Sequence, residues 1–152
     1  KLLSNEVLIS AIVGWTVAQI LKTLIDFGLN KSFTPERLVG SGGMPSSHSA
    51  VTCSVLLTSY LIYGFSSPIF AMAFVLALIV MYDATGVRWA AGLHAKAINY
   101  IVEYLGDENT KDKDQLKEMI PKLNESLGHR MIEVVCGALL GFVISLIGYF
   151  CF

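Results

Sequence analysis

From Met131 to Phe152 the chain runs 22 residues with a single charged side chain, Glu133. An α-helix needs roughly 20 apolar residues to cross the hydrocarbon core of a bilayer, and this run meets that length. Three other stretches are apolar in the same way: Val7–Leu29, Ser46–Phe65 and Ile69–Tyr82. The 152 residues are 54% hydrophobic and 15% charged, with a mean hydropathy of +0.61, beyond what a domain surrounded by water normally carries. In lipid every backbone N–H and C=O must find an internal partner, so long apolar runs of this kind fold as helices. The expected architecture is an all-α integral membrane protein: a bundle of about four transmembrane helices plus an interfacial amphipathic helix, in one domain over residues 1–152.

Charge distribution narrows the function classes. The formal charge is −1 and no basic patch emerges, so nucleic acid is not an expected partner. Membrane lipids are, and self-association into a homo-oligomer stays open. Cys53, Cys136 and Cys151 lie in apolar runs without CxxC spacing and read as small buried hydrophobes. The N-terminus carries no basic region followed by a short apolar core and a small-residue cleavage site, so no removable signal peptide is expected. Gly137 and Gly141 have the GxxxG spacing of a helix-packing face.

Polar residues interrupt the apolar pattern at a few places. Gln19, Lys22 and Asp26 give the first span a polar side, and the loop Asn30–Gly43 carries Lys31, Pro35 and Arg37. Between Trp89 and Leu105, Ala90, Ala91, Leu93, Ala97, Ile98, Ile101 and Leu105 recur at spacings of three and four. That is amphipathic periodicity. With His94, Lys96, Asn99 and Glu103 on the same stretch, an interfacial helix is expected rather than a fifth span. Asp107–Asn124 reads as a charged surface insertion extending to about residue 128, helical from about Lys113.

Three segments have the makings of a site. Gly40–His48 combines a glycine-rich approach, Pro45 at the expected first helical position, and the hydroxyls of Ser46 and Ser47. Free N–H groups and the positive end of a helix dipole suit a phosphate there, and His48 in the first turn is placed to donate a proton. His129 and Glu133 stand four apart and share a helix face, so Glu133 can orient one imidazole nitrogen and leave the other as a nucleophile. A carboxylate in such an apolar run also needs a partner. Arg88, at the end of the third span, matches phosphate oxygens with its planar fork, and Asp83 is a candidate partner for Arg88 or His48. The plainer reading makes these residues helix punctuation and interface anchors, with Glu133 packed against a polar group of another span.

The strings GGMPSSHSA, YDATGVR and LGHRMIEVVCGALLG together resemble the divergent branch of the type 2 phosphatidic acid phosphatase and vanadium haloperoxidase superfamily, over about Gln19 to Gly141. The resemblance implies a helical bundle that hydrolyses phosphate esters without metal, through a phosphohistidine. It makes His48 the general acid, with Gly43, Ser46, Ser47 and the backbone to His48 as a phosphate cradle. The superfamily's Ser-Arg-x5-His-x3-Asp motif is altered here. Arg88 and His94 keep the first spacing, but Ile98 stands where the acid belongs, whereas His129 and Glu133 keep His-x3-acid 41 positions beyond Arg88. The expected assignment is a split motif with Arg88 as clamp and His129 as nucleophile, His94 being the rival. Lys22, or Lys31, with Arg37 stands in for the superfamily's lysine–arginine motif.

The expected function is hydrolysis of a lipid phosphomonoester or pyrophosphate, with no organic cofactor and no metal. The alternatives are a lipid-phosphate binding or transport protein without turnover, and a structural membrane protein. With four spans, the His48 side carries Lys31, Arg37, Arg88, Lys96 and Arg130 even when Asp107–Asn124 is set aside, against Lys1 on the other. The positive-inside bias therefore places the site on the cytoplasmic face. With a cysteine at Thr110 in a background lacking the native cysteines, intact cells should resist labelling by a membrane-impermeant maleimide. Labelling without lysis would put that face outside.

Overall fold

The computed structural model describes residues 4–31, 43–105, 119–125 and 127–151. They form five helices: α1 (Glu6–Asn30), α2 (Ser47–Tyr63), α3 (Pro68–Thr85), α4 (Val87–Leu105) and α5 (Met131–Cys151). No strand occurs among the described residues. Three helical segments are long and apolar enough to cross a membrane: Glu6–Gly28, Pro68–Glu103 and Met131–Cys151.

Local chemistry sets the helix ends. Asn5 caps α1 by accepting from Leu8 N–H, and Lys31 closes it in the left-handed conformation. Ser67 caps α3, with Pro68 at its start where a missing N–H goes unnoticed. The start of α2 differs from the expectation by a turn position. Ser46 is the N-cap, its hydroxyl accepting from Ser49 N–H, and the helix begins at Ser47, so Pro45 stands outside the helix. A serine side chain can satisfy an orphan donor and a proline cannot.

The centre of the bundle is α2, which packs against α1, α3 and α5. It was expected to be a span in its own right, yet at 17 residues it is short and polar, burying Ser47, Ser49, Thr52, Ser54, Thr58 and Ser59. Enclosure by other helices is what makes this composition tolerable, since hydroxyls facing helices find partners that lipid would not supply. Ser54 donates to the carbonyls of Ala50 and Gly141, Thr58 donates to Ser145, and Ser145 donates to the Ser54 carbonyl. By contrast, α3 buries Ala73, Ala77 and Ala84 on one face and exposes Met72, Val75, Leu76, Leu78 and Ile79 on the other.

Small residues permit this closeness. A Cβ at Gly137 would overlap the Ser46 carbonyl oxygen, one at Gly141 that of Ala50, and one at Gly14 of α1 the Ser54 hydroxyl. The GxxxG pair of α5 is therefore the face that seats α2.

Beyond Gly86, α4 leaves the bundle and meets only α3 among the described helices. Most of the charged insertion, residues 106–118, lies outside the described residues. Past Met119, residues 120–125 are irregular rather than helical as expected, because they are held by side-chain bonds to α4.

The packing at Gly141 generates a prediction. Gly141→Val must separate α5 from α2, and overpacking of this kind costs roughly 1–3 kcal/mol. Thermal unfolding in detergent should show a clear drop for Gly141→Val and none for Gly148→Ala, where a Cβ meets nothing.

Candidate active site

The start of α5 is built around Glu133. Its carboxylate reaches back to accept from Arg130 N–H at 3.3 Å, the return half of a capping box. The same oxygen, Oε2, lies 2.9 Å from His129 Nδ1. A carboxylate only accepts, so Nδ1 carries a proton, and in the neutral ring that leaves the lone pair on Nε2. His129 is only 2% exposed, and its Nε2 is buried without a hydrogen-bond partner among the described residues.

The start of α2 meets this group directly. Ser46 N–H donates to the Glu133 carbonyl at 2.9 Å, tying the two helix starts together. That bond corrects the expected cradle, because the Ser46 N–H is occupied and its buried hydroxyl caps the helix. The N–H groups of Ser47 and His48 have no backbone acceptor among the described residues. His48 projects towards α5, with its ring 5.9 Å from that of His129 in an edge-on arrangement, and its Nδ1 is buried without a partner among the described residues. Gly43 lies just ahead with φ of 85°, a conformation natural to glycine.

The third contribution comes from the α3–α4 junction. His129 N–H donates to the Ala84 carbonyl at 2.9 Å, so the nucleophile candidate is pinned to the end of α3 although 45 positions separate the two in sequence. Asp83 and Arg88 form an ion pair through Nε, half-exposed. Among the described residues the terminal guanidinium nitrogens of Arg88 make no further hydrogen bond. Arg88, His129, Lys22 and Asp83 all act electrostatically on His48. Lys22, on α1, is 2% exposed, an arrangement that places its ammonium inside the bundle.

Other candidates stand apart. His94 is exposed on α4, which does not pack against α2 or α5, while Lys31 is the exposed C-cap of α1. Arg37 lies outside the described residues. No group of three His, Cys, Asp or Glu suited to a metal gathers among the described residues. Two contributors went unread in the sequence: the Ala84 carbonyl, which has no side-chain signature, and Gly128. With φ of 80° and Trp89 N–H against it, Gly128 allows the chain to turn into α5, and its place directly before His129 was the available signal.

An all-α membrane bundle with two histidines, a carboxylate and cations gathered at the starts of two helices is the class that fold and site define. The sequence matches the divergent PAP2 family over residues 3–144. It is similar to a Bacillus subtilis (strain 168) protein named uncharacterized membrane protein YuiD, 37% identical over 151 residues, covering 97% of this chain and 96% of that one. The chain belongs to the divergent PAP2 family and is an integral membrane protein. No solved structure matches it.

The Glu133 contact makes a spectroscopic prediction. Histidine-selective nitrogen NMR should find His129 protonated at Nδ1, and Glu133→Ala should abolish that preference. An Nε2-protonated ring in the unaltered protein would contradict the geometry.

Proposed function

We propose that this protein is a membrane-embedded phosphatase that hydrolyses a lipid phosphomonoester or pyrophosphate through a phosphohistidine on His129. The observation carrying the reading is the pairing of His129 Nδ1 with Glu133, with Nε2 buried and without a partner among the described residues and the ring beside that of His48. A nucleophilic imidazole of this kind needs one nitrogen held by a partner and the other directed at the substrate.

Nε2 attacks phosphorus, forming the N–P bond as the P–O bond to the lipid breaks. His48, protonated, gives its proton to the departing alkoxide or phosphate oxygen. The terminal nitrogens of Arg88, the Lys22 ammonium and the N–H groups of Ser47 and His48 stabilise charge on the equatorial oxygens. Neutral His48 then takes a proton from water, whose oxygen cleaves the N–P bond and releases phosphate. Asp83 holds Arg88 in place.

A lipid substrate is favoured by the open side of the bundle. Helices α1 and α3 do not meet among the described residues, and a largely apolar cleft lies between them over α2, lined by Val7, Leu8, Ala11, Val55, Tyr63 and Ile69. Val55 is seven positions from His48, on nearly the same face of α2. The cleft lies towards the end of α2 away from His48, so a chain with its head at the histidines would run about 10 Å along α2 to reach it. We take α2 as a fourth pass and the site as cytoplasmic.

Purified protein in detergent, given phosphatidate, phosphatidylglycerophosphate and polyprenyl mono- and pyrophosphates, should release phosphate from at least one, with EDTA present. His129→Ala should lower turnover at least about 10³-fold, and Glu133→Gln about 10²-fold. Activity retained in His129→Ala but lost in His94→Ala would move the nucleophile. Tight binding of a substrate without release of phosphate would instead indicate a binding or transport protein.

A further inference from the structure

The segment that delivers His129 is strapped along α4, and the side chain of Asn99 anchors it. Asn99 donates from Nδ2 to the Leu123 carbonyl at 2.9 Å and accepts at Oδ1 from Leu123 N–H at 3.0 Å. Its second Nδ2 hydrogen goes to Glu125 Oε1 at 2.8 Å. All the donors of the carboxamide are used, and it binds the strap's backbone much as a neighbouring strand would.

From this anchor the strap runs back along one face of α4. Asn99, Ala95, Gly92 and Arg88 recur at spacings of four, three and four, and Ala95 and Gly92 are buried. The Leu127 carbonyl passes where a Gly92 Cβ would stand, Gly128 lies against Trp89, and His129 N–H reaches the Ala84 carbonyl. Trp89 and Asn99 are about 15 Å apart along the helix axis. The five residue steps from Leu123 to Gly128 reach about 18 Å at full extension. The strap therefore has little slack, and its far end fixes its near end.

We propose that Asn99 is a positioning residue for His129: by clamping Leu123 and Glu125, it holds the strap in the register that sets His129 against Ala84, Glu133 and His48. The role rests on the phosphohistidine reading for its catalytic consequence, but the hold on the His129 amide does not depend on it. Asn99 sits far along α4 from the reacting atoms and touches no substrate.

Hydrogen–deuterium exchange and kinetics on purified protein in detergent test this together. Asn99→Ala should speed exchange across residues 127–130 at least about tenfold while α2 and α5 keep their protection, and lower kcat at least about tenfold with KM little changed. Asn99→Asp should behave similarly, because a carboxylate faces the Leu123 carbonyl and Glu125. Adding Glu125→Gln to Asn99→Asp restores a donor at that contact and should recover part of both losses. Unchanged exchange at 127–130 in Asn99→Ala would overturn the proposal, as would faster exchange with undiminished kcat. If the unaltered protein turns over none of the substrates, the phosphatase reading falls, and exchange alone decides whether Asn99 holds His129.

Discussion

Glu133 serves two helix starts at once, and the arrangement of the site follows from that. Its carboxylate satisfies the Arg130 N–H and orients His129, while its carbonyl takes the N–H of Ser46 at the start of α2. A charged carboxylate in the interior of an apolar span costs about 3 kcal/mol on insertion scales. In the first turn of α5 it faces the positive end of the helix dipole and two donors, which offset that cost. Had the acid stood two turns further along the helix, neither compensation would be available.

Close packing turns this local joint into a fixed distance between two histidines. His48 is carried by α2 and His129 by the entry to α5, and Gly137 and Gly141 let the α2 backbone lie directly on α5. Hydroxyl bonds from Ser54, Thr58 and Ser145 continue the contact beyond the glycines. A site held by two backbones in contact depends little on flexible side chains, as preorganised catalysis requires. The same packing explains why α2 is polar: enclosed on three sides, it need not be soluble in lipid.

Much of this was legible in the sequence because it follows helical period. His129 and Glu133 at four apart, the GxxxG pair and the amphipathic stretch after Trp89 all rest on spacing that survives folding, whereas Asp83 sits five before Arg88 across the break at Gly86, and its partner was open between Arg88 and His48. Ser46 was misread because Pro-Ser-Ser offers two plausible helix entries, and only the cap geometry distinguishes them. Its N–H was expected to await a ligand, but a backbone-to-backbone bond to a residue 87 positions away leaves no mark on side-chain identity. The strap was invisible for a related reason. Residues 120–129 have no period, and the clamp at Asn99 joins a side chain to a peptide group that any residue could have supplied.

The central claim is that His129 Nε2 becomes bonded to phosphorus during turnover. Rapid acid-free quenching with a lipid phosphate labelled in the transferred phosphoryl group, followed by peptide mass spectrometry, measures this directly. The account predicts an alkali-stable, acid-labile phosphoryl group on His129 that appears within one turnover and is absent in His129→Ala. Turnover with no phosphoprotein, or with the label on His48 or His94, would contradict it.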